Sequence, residues 1–279
     1  MKKAIQISYD KNFEKKCKFA YEAGFRHISV NFNDMPNPED ATYDKAPEYI
    51  SAILEKYDLE AVQTHLFYYY PLSSADKIEE ELEHRVLREI EVSGKISAPW
   101  CVWHPRYFKS GEWKTGGYDE ERTFYYNHET VSHYLEQAKK FGTGIALENL
   151  FGSMMYGGVD TLARLCDSFR TDNIGICWDT GHANIDLEDQ SAAIAFLGNR
   201  IKCTHIHNNW GVRDDHAPPI YGNIEWNRVM PALAATDYDG PLTLETHCWY
   251  IIDDMLRSFA KHNYDSLVYL ESLVKPEVV

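Results

Sequence analysis

Six short apolar runs in this chain end on a histidine, aspartate or glutamate. Val62-Gln63-Thr64 stops at His65, Cys101-Val102-Trp103 at His104, and Ile145-Ala146-Leu147 at Glu148. Ile174 to Trp178 stops at Asp179, with His182 one turn further on. Ile201 to Thr204 leads to His205 and His207, and Leu242-Thr243-Leu244 stops at Glu245. Apolar runs of this length between turn signals read as buried strands. Ionisable groups at the same end of many strands are what a closed parallel barrel uses to build a site at one face. All are nitrogen and oxygen donors, so a divalent metal is the first expectation.

Between these runs lie segments with helical spacing. Strands are expected over 4–8, 27–31, 59–65, 100–104, 144–148, 174–179, 201–207 and 241–246. Helices are expected over 13–23, 46–57, 75–95, 121–141, 160–169, 187–197 and 226–235, with a last one inside 252–274. Gly24 stands where a helix commonly stops. Long loops fall at 105–119 and 208–223. Eight strand–helix units are the count of an α/β (β/α)8 TIM barrel, and no linker divides residues 1–279 into more than one domain. An open doubly wound sheet fits less well. No Gly-rich phosphate fingerprint follows the first strand, and the ionisable residues spread over six strand ends instead of gathering at a switch point.

Composition narrows the partners. The formal net charge of −15 repels nucleic acid and anionic membranes at long range. Met1-Lys2-Lys3 runs directly into a strand-like stretch, and no apolar run is long enough to span a bilayer, so neither a signal peptide nor a membrane segment is expected. Six cysteines, with no C-x-x-C pair, read as reduced thiols of a cytoplasmic protein.

In a barrel, Glu148, Asp179, His207 and Glu245 converge from four consecutive strands. One such glutamate alone is ordinarily a salt bridge or a cap. Carboxylates with an imidazole at equivalent positions make a hard site. Mn²⁺ or Mg²⁺ suits it best, with Co²⁺ or Zn²⁺ as alternatives. His65 and His104 end two more strands and face the same cavity, as ligands or as hydrogen-bonding groups, since imidazole donates and accepts. His205 shares a strand face with His207 and reads as supporting it or facing substrate.

The run Trp178-Asp179-Thr180-Gly181-His182-Ala183-Asn184, with Glu148-Asn149, His205-Ile206-His207 and the Glu245 strand, resembles the xylose isomerase-like TIM barrel superfamily. That superfamily includes sugar phosphate isomerases and epimerases, ketose 3-epimerases and the endonuclease IV type of apurinic-site nuclease. Resemblance to the ketose epimerases implies one metal on Glu148, Asp179, His207 and Glu245, with His182 and Arg213 on the substrate. Resemblance to the nuclease branch implies three zincs on His65, His104, Glu148, Asp179, His182, His207, Asp214, His216 and Glu245. Asp214 and His216 are either additional ligands or residues that order their loop.

Charge and aromatic content separate the branches. The strand-to-helix loops hold few basic residues (Arg106, Lys109, Lys114 and Arg213) but many aromatic ones, among them Tyr68, Tyr69, Tyr70, Trp113, Trp210, Trp249 and Tyr250. A DNA enzyme needs several phosphate contacts. The balance favours a small carbohydrate, disfavours nucleic acid, and leaves a homo-oligomer open. The expected chemistry is metal-dependent sugar isomerisation or epimerisation through an enediolate, with Glu148 and Glu245 as the acid/base pair. A phosphodiesterase, or a dehydratase or lyase on a keto-sugar or inositol, is the alternative.

Overall fold

The computed structural model describes residues 1–35, 43–68, 76–110, 117–151, 155–186, 189–248 and 252–274. Among the sequence expectations, Tyr69, Tyr70, Trp113, Lys114, Trp249 and Tyr250 lie outside the described residues.

Strands β1 (Lys2–Ser8), β2 (His27–Asn31), β3 (Glu60–His65), β4 (Trp100–Trp103), β7 (Gly144–Glu148), β8 (Ile174–Asp179), β9 (Ile201–His205) and β10 (Pro241–Leu244) form one parallel sheet. The order is β10-β1-β2-β3-β4-β7-β8-β9, and a parallel bridge between Ile206 and Leu244 closes the ring. This is the expected (β/α)8 barrel. A small hairpin, β5 (Lys109–Ser110) with β6 (Gly117–Tyr118), stands in the loop after β4.

Helices α1 (Phe13–Ala23), α2 (Ala46–Lys56), α3 (Asp76–Lys95), α4 (Glu120–Phe141), α5 (Val159–Asp167), α7 (Gln190–Leu197), α8 (Trp226–Ala234) and α9 (Asp253–Ser272) cover the strands. Gly24 and Gly142 close α1 and α4 in the left-handed region, at φ 114° and 72°. Besides the hairpin, a further element was not foreseen. Thr180–Asp186 is a short helix, α6, that starts directly at the end of β8. The Asp179 carboxylate accepts from the His182 amide at 2.7 Å and so caps it.

Strand pleat sorts the side chains into two cores. Outward residues such as Ile28, Val30, Cys101, Ile145 and Trp178 pack beneath the helices in one large cluster. Each large apolar side chain buried there contributes about 1.5–3 kcal/mol. The inward residues Val102, Ala146, Cys177 and Cys203 form a separate small cluster in the barrel interior. Thr243 Oγ1 donates to Gln63 Oε1 at 3.0 Å between two strands that are not neighbours, so both face the lumen.

Candidate metal and catalytic site

Side chains repeat every two residues along a strand, so the residues above the lumen floor are fixed by counting. Two positions beyond Val102, Ala146, Cys177 and Cys203 come His104, Glu148, Asp179 and His205. Two beyond Ala4, Gln63 and Thr243 come Gln6, His65 and Glu245. These residues form the mouth layer of the barrel. Glu148, Asp179, His205 and His207 are wholly inaccessible to solvent, and His65, His104, His182 and Glu245 are buried.

Two carboxylates converge on one nitrogen. His205 Nδ1 lies 2.9 Å from Glu245 Oε2 and 3.1 Å from Glu148 Oε1, with Asp179 Oδ2 at 3.8 Å. The expected imidazole ligand was His207. The structure seats His205 between the glutamates and groups His207 with Asp179 and His182. His205 is the register partner of Asp179 and is the last residue of β9, whereas His207 lies past the strand end. His207 Nε2 instead meets Asp179 at 3.0 Å and approaches Asp214 Oδ1 at 3.7 Å. The Thr180 hydroxyl donates to His207 O at 2.9 Å and accepts from its amide at 3.2 Å. Gly181 makes room for the ring, because a Cβ there would overlap the His207 imidazole.

On one flank, His104 Nε2 lies 2.9 Å and His65 Nε2 3.4 Å from Glu148 Oε2. On the other, Asp214 Oδ2 lies 2.8 Å from His216 Nε2 and 3.4 Å from His182 Nε2. His216 is a non-glycine residue at φ 46°, a strained conformation of the kind that clusters at functional sites. Main-chain carbonyls aim three of the imidazoles. His65 Nδ1 donates to Leu66 O, His182 Nδ1 to Asn149 O and His216 Nδ1 to Glu245 O, at 2.8, 2.8 and 2.9 Å. A carbonyl only accepts, so each Nδ1 carries a proton and each Nε2 faces the basin, where it can bind a cation once it has given up its own proton.

Burial alone would push Glu148 and Glu245 upward. Together the imidazoles outweigh it, His205 with His104 at Glu148 and His205 with His216 at Glu245, and hold both carboxyls well below the usual range. Burial would lower His182, but Asp179 and Asp214 carry it to about 10, and Asp214 and Glu245 carry His216 to about 9. Burial dominates at His104 and lowers it.

The residues fit a divalent cation. His205 Nε2, His207 Nδ1 and Asp214 Oδ1 are buried polar atoms without a hydrogen-bond partner among the described residues. Such atoms are costly in a dry site unless a ligand takes them up. Close donor sets include His65–His205–Glu245, His65–His104–Glu148 and His207–Asp214–His216.

Arg213, expected on the substrate, is not gathered with the others. Its side chain is 83% exposed and is tied to Asp215 through Nε at 2.7 Å and Nη2 at 2.6 Å. Two contributors escaped the sequence reading. Gln6 Nε2 donates to Glu245 Oε1 at 2.6 Å. Asn149 accepts from the Asp179 amide at 2.7 Å and donates to its carbonyl at 2.9 Å, locking β7 to β8. The inward parity of Gln6 on β1 was the signal that could have found it. Beside Gln6 a cavity of about 310 Å³ opens, with Ser8, Asn31, Asp34 and His247 on its polar side and Ile7 and Phe19 on its apolar side.

Fold and site together define a (β/α)8 barrel with a buried imidazole–carboxylate basin at the C-terminal ends of its strands. The chain belongs to the xylose isomerase-like TIM barrel family, whose model matches residues 17–267. A D-tagatose 3-epimerase-like protein superposes with a TM-score of 0.74 at 21% identity, over 100% of both chains. D-psicose 3-epimerase of Clostridium cellulolyticum gives 0.77 at 15%, over 99% of this chain and 100% of that one. A 3-keto-D-glucoside 4-epimerase of E. coli gives 0.75 at 15%, over 97% and 100%. By sequence, an uncharacterized protein of Sinorhizobium fredii is 35% identical over 102 residues, 37% of this chain; the match spans 33% of that protein's length. One of Methanocaldococcus jannaschii is 27% identical over 203 residues, 71% of this chain and 68% of the other. Among the described residues no helix is long and apolar enough to cross a membrane.

Proposed function

We propose that this protein is a divalent-metal-dependent sugar isomerase or epimerase. The observation that carries the reading is the convergence of Glu148 and Glu245 on a single imidazole nitrogen, His205 Nδ1, in a fully buried setting. Glu148, Asp179, Glu245 and His205 would hold the cation, with His207 braced against Asp179. When bound, the cation supplies Lewis-acid stabilisation of the negative charge that develops on neighbouring oxygens of the sugar. Manganese fits the carboxylate-rich centre, and magnesium, cobalt and zinc are the alternatives.

The chain's own groups do the rest. One glutamate removes a proton from the carbon beside the carbonyl, and the other returns one to the enediolate. Imidazole neighbours hold both ionised in the free site, so either can accept the first proton; the glutamate that returns a proton takes it first from water, and the proton left on its partner goes back to water. Gln6 fixes Glu245 from the side opposite His205. The adjoining cavity, with hydroxyl, amide and carboxylate groups along one side, has room for the remainder of a small carbohydrate. The similarity to two epimerases, of D-psicose and of a 3-keto-D-glucoside, and to a D-tagatose 3-epimerase-like protein supports this substrate class.

A second reading has its own support. His65–His104–Glu148 and His207–Asp214–His216 extend the donor set beyond what one cation needs. A multi-zinc phosphodiesterase uses such a basin. A dehydratase or lyase that shares the first proton abstraction is compatible with the glutamate pair. Elemental analysis of the purified protein, followed by turnover of a ketose panel by the metal-loaded chain, tests the proposal. One manganese or magnesium per chain with ketose turnover supports it. Three tightly held zincs with no ketose turnover transfer the assignment to the phosphodiesterase.

A further inference from the structure

Glu89 sits in the middle of α3, has no solvent exposure, and plays no part in the chemistry above. Its Oε1 accepts from Arg85 Nε at 2.9 Å, and its Oε2 accepts from the Phe67 amide at 2.7 Å. Arg85 extends the contact. Its Nη2 donates to Phe32 O at 2.7 Å and to Asn33 O at 3.1 Å, and its guanidinium lies 3.8 Å over the Phe67 ring. One buried ion pair thus grips the chain just past the ends of both β2 and β3. The next residue, Tyr68, lies flat against His104, with ring centroids 4.7 Å apart and planes 20° apart, and meets the edge of His65 at 5.7 Å. Its amide donates to Asn33 Oδ1 at 3.4 Å, on the same gripped segment.

We propose that Glu89 and Arg85 are positioning residues that clamp the β2 and β3 ends together and hold Tyr68 as a wall of the imidazole–carboxylate basin, over the imidazoles of His65 and His104. The inference rests on the sugar reading only for what the wall faces. A buried carboxylate is expensive unless its oxygens are satisfied by charge-assisted bonds. Here one oxygen goes to an arginine and the other to the main chain beside the site. Loss of the Glu89 charge frees the Phe67 amide, and loss of Arg85 frees Phe32 and Asn33; either loosens the Tyr68 ring. Burial raises the Glu89 carboxyl to about 7 against the pull of Arg85, the Phe67 amide and His65. The other titratable groups that sense it are Tyr43 before α2, Cys101 on β4 and Tyr134 on α4. The clamp therefore weakens as pH falls through neutrality.

The test is amide hydrogen exchange at Phe67 and Tyr68 in the full chain, read with steady-state kinetics. Glu89→Gln should lower protection at these amides by about ten-fold or more, with bound metal unchanged. KM should rise by about ten-fold while kcat stays within about two-fold. In the wild-type chain the same protection should fall from about pH 8 to about pH 6, and this dependence should vanish in the variant. If Glu89→Gln does not fold, Arg85→Lys keeps the carboxylate–Phe67 bond and releases Phe32 and Asn33, with a smaller loss of protection at Tyr68. Unchanged protection at Phe67 in a variant that merely melts earlier would overturn the proposal, as would loss of metal or a fall in kcat at constant KM. Exchange needs no substrate, so a protein inactive on every ketose still reports on the clamp.

Discussion

The floor and the mouth of the barrel are built by the same strands, two residues apart, and differ in every chemical respect. Val102, Ala146, Cys177 and Cys203 fill the floor with small uncharged side chains, whereas His104, Glu148, Asp179 and His205 crowd the mouth with charge. The difference teaches how a site at a strand end acquires its strength. The floor residues are wholly buried, so the charges above them interact in a low-dielectric setting where pairing carries much of their balance.

Breaking the mouth should cost function before stability. Glu148→Gln or Glu245→Gln should lower kcat by about 10²–10⁴-fold with an unchanged circular dichroism spectrum. Wild-type turnover in either variant would remove the acid/base assignment. His205→Ala should weaken metal binding by more than the about 10–100-fold expected of a supporting residue, and His207→Ala should fall within that range. Equilibrium dialysis distinguishes them, and the reverse order would assign the ligand role to His207.

Breaking the floor should do the opposite. Ala146→Leu overfills the lumen and should cost about 1–3 kcal/mol, seen as a lower Tm, with little change in activity per folded molecule at low temperature. pH sharpens the contrast in metal-free protein. His182 and His216 are raised to about 10 and about 9, so their stabilisation is complete below the ordinary histidine value and is lost as pH climbs through those figures. Glu148 and Glu245 are lowered, so theirs is lost in acid. Scanning calorimetry should show Tm falling on both limbs. A bound divalent cation should flatten the alkaline limb, because the imidazoles then need no proton. The smallest effect is expected at Arg213→Ala, within about two-fold in kcat/KM, because the side chain is exposed and engaged with Asp215.

Most of the fold was legible because buried parallel strands are short continuous apolar runs, and six of them carried an ionisable end marker. The basin was legible for the same reason. What escaped depended on register. His205 and His207 have the same pleat parity, and only the pairing of His205 with Asp179 decides which stands in the ring. Gln6 was missed because an amide on the first strand carries no metal-ligand signature, although it holds Glu245. Helix α6 escaped because it needs no linker, its cap being the Asp179 side chain itself. Arg213 was carried from a family pattern, and the loop geometry that pairs it with Asp215 is invisible in spacing.

Leu66, Asn149 and Glu245 orient His65, His182 and His216 through their peptide oxygens, and no substitution removes a peptide oxygen. A point change can delete one of these rings but cannot turn one around. Descendants of this chain can therefore trade donors singly, swapping cation preference or reaction, while the remaining rings keep their aim.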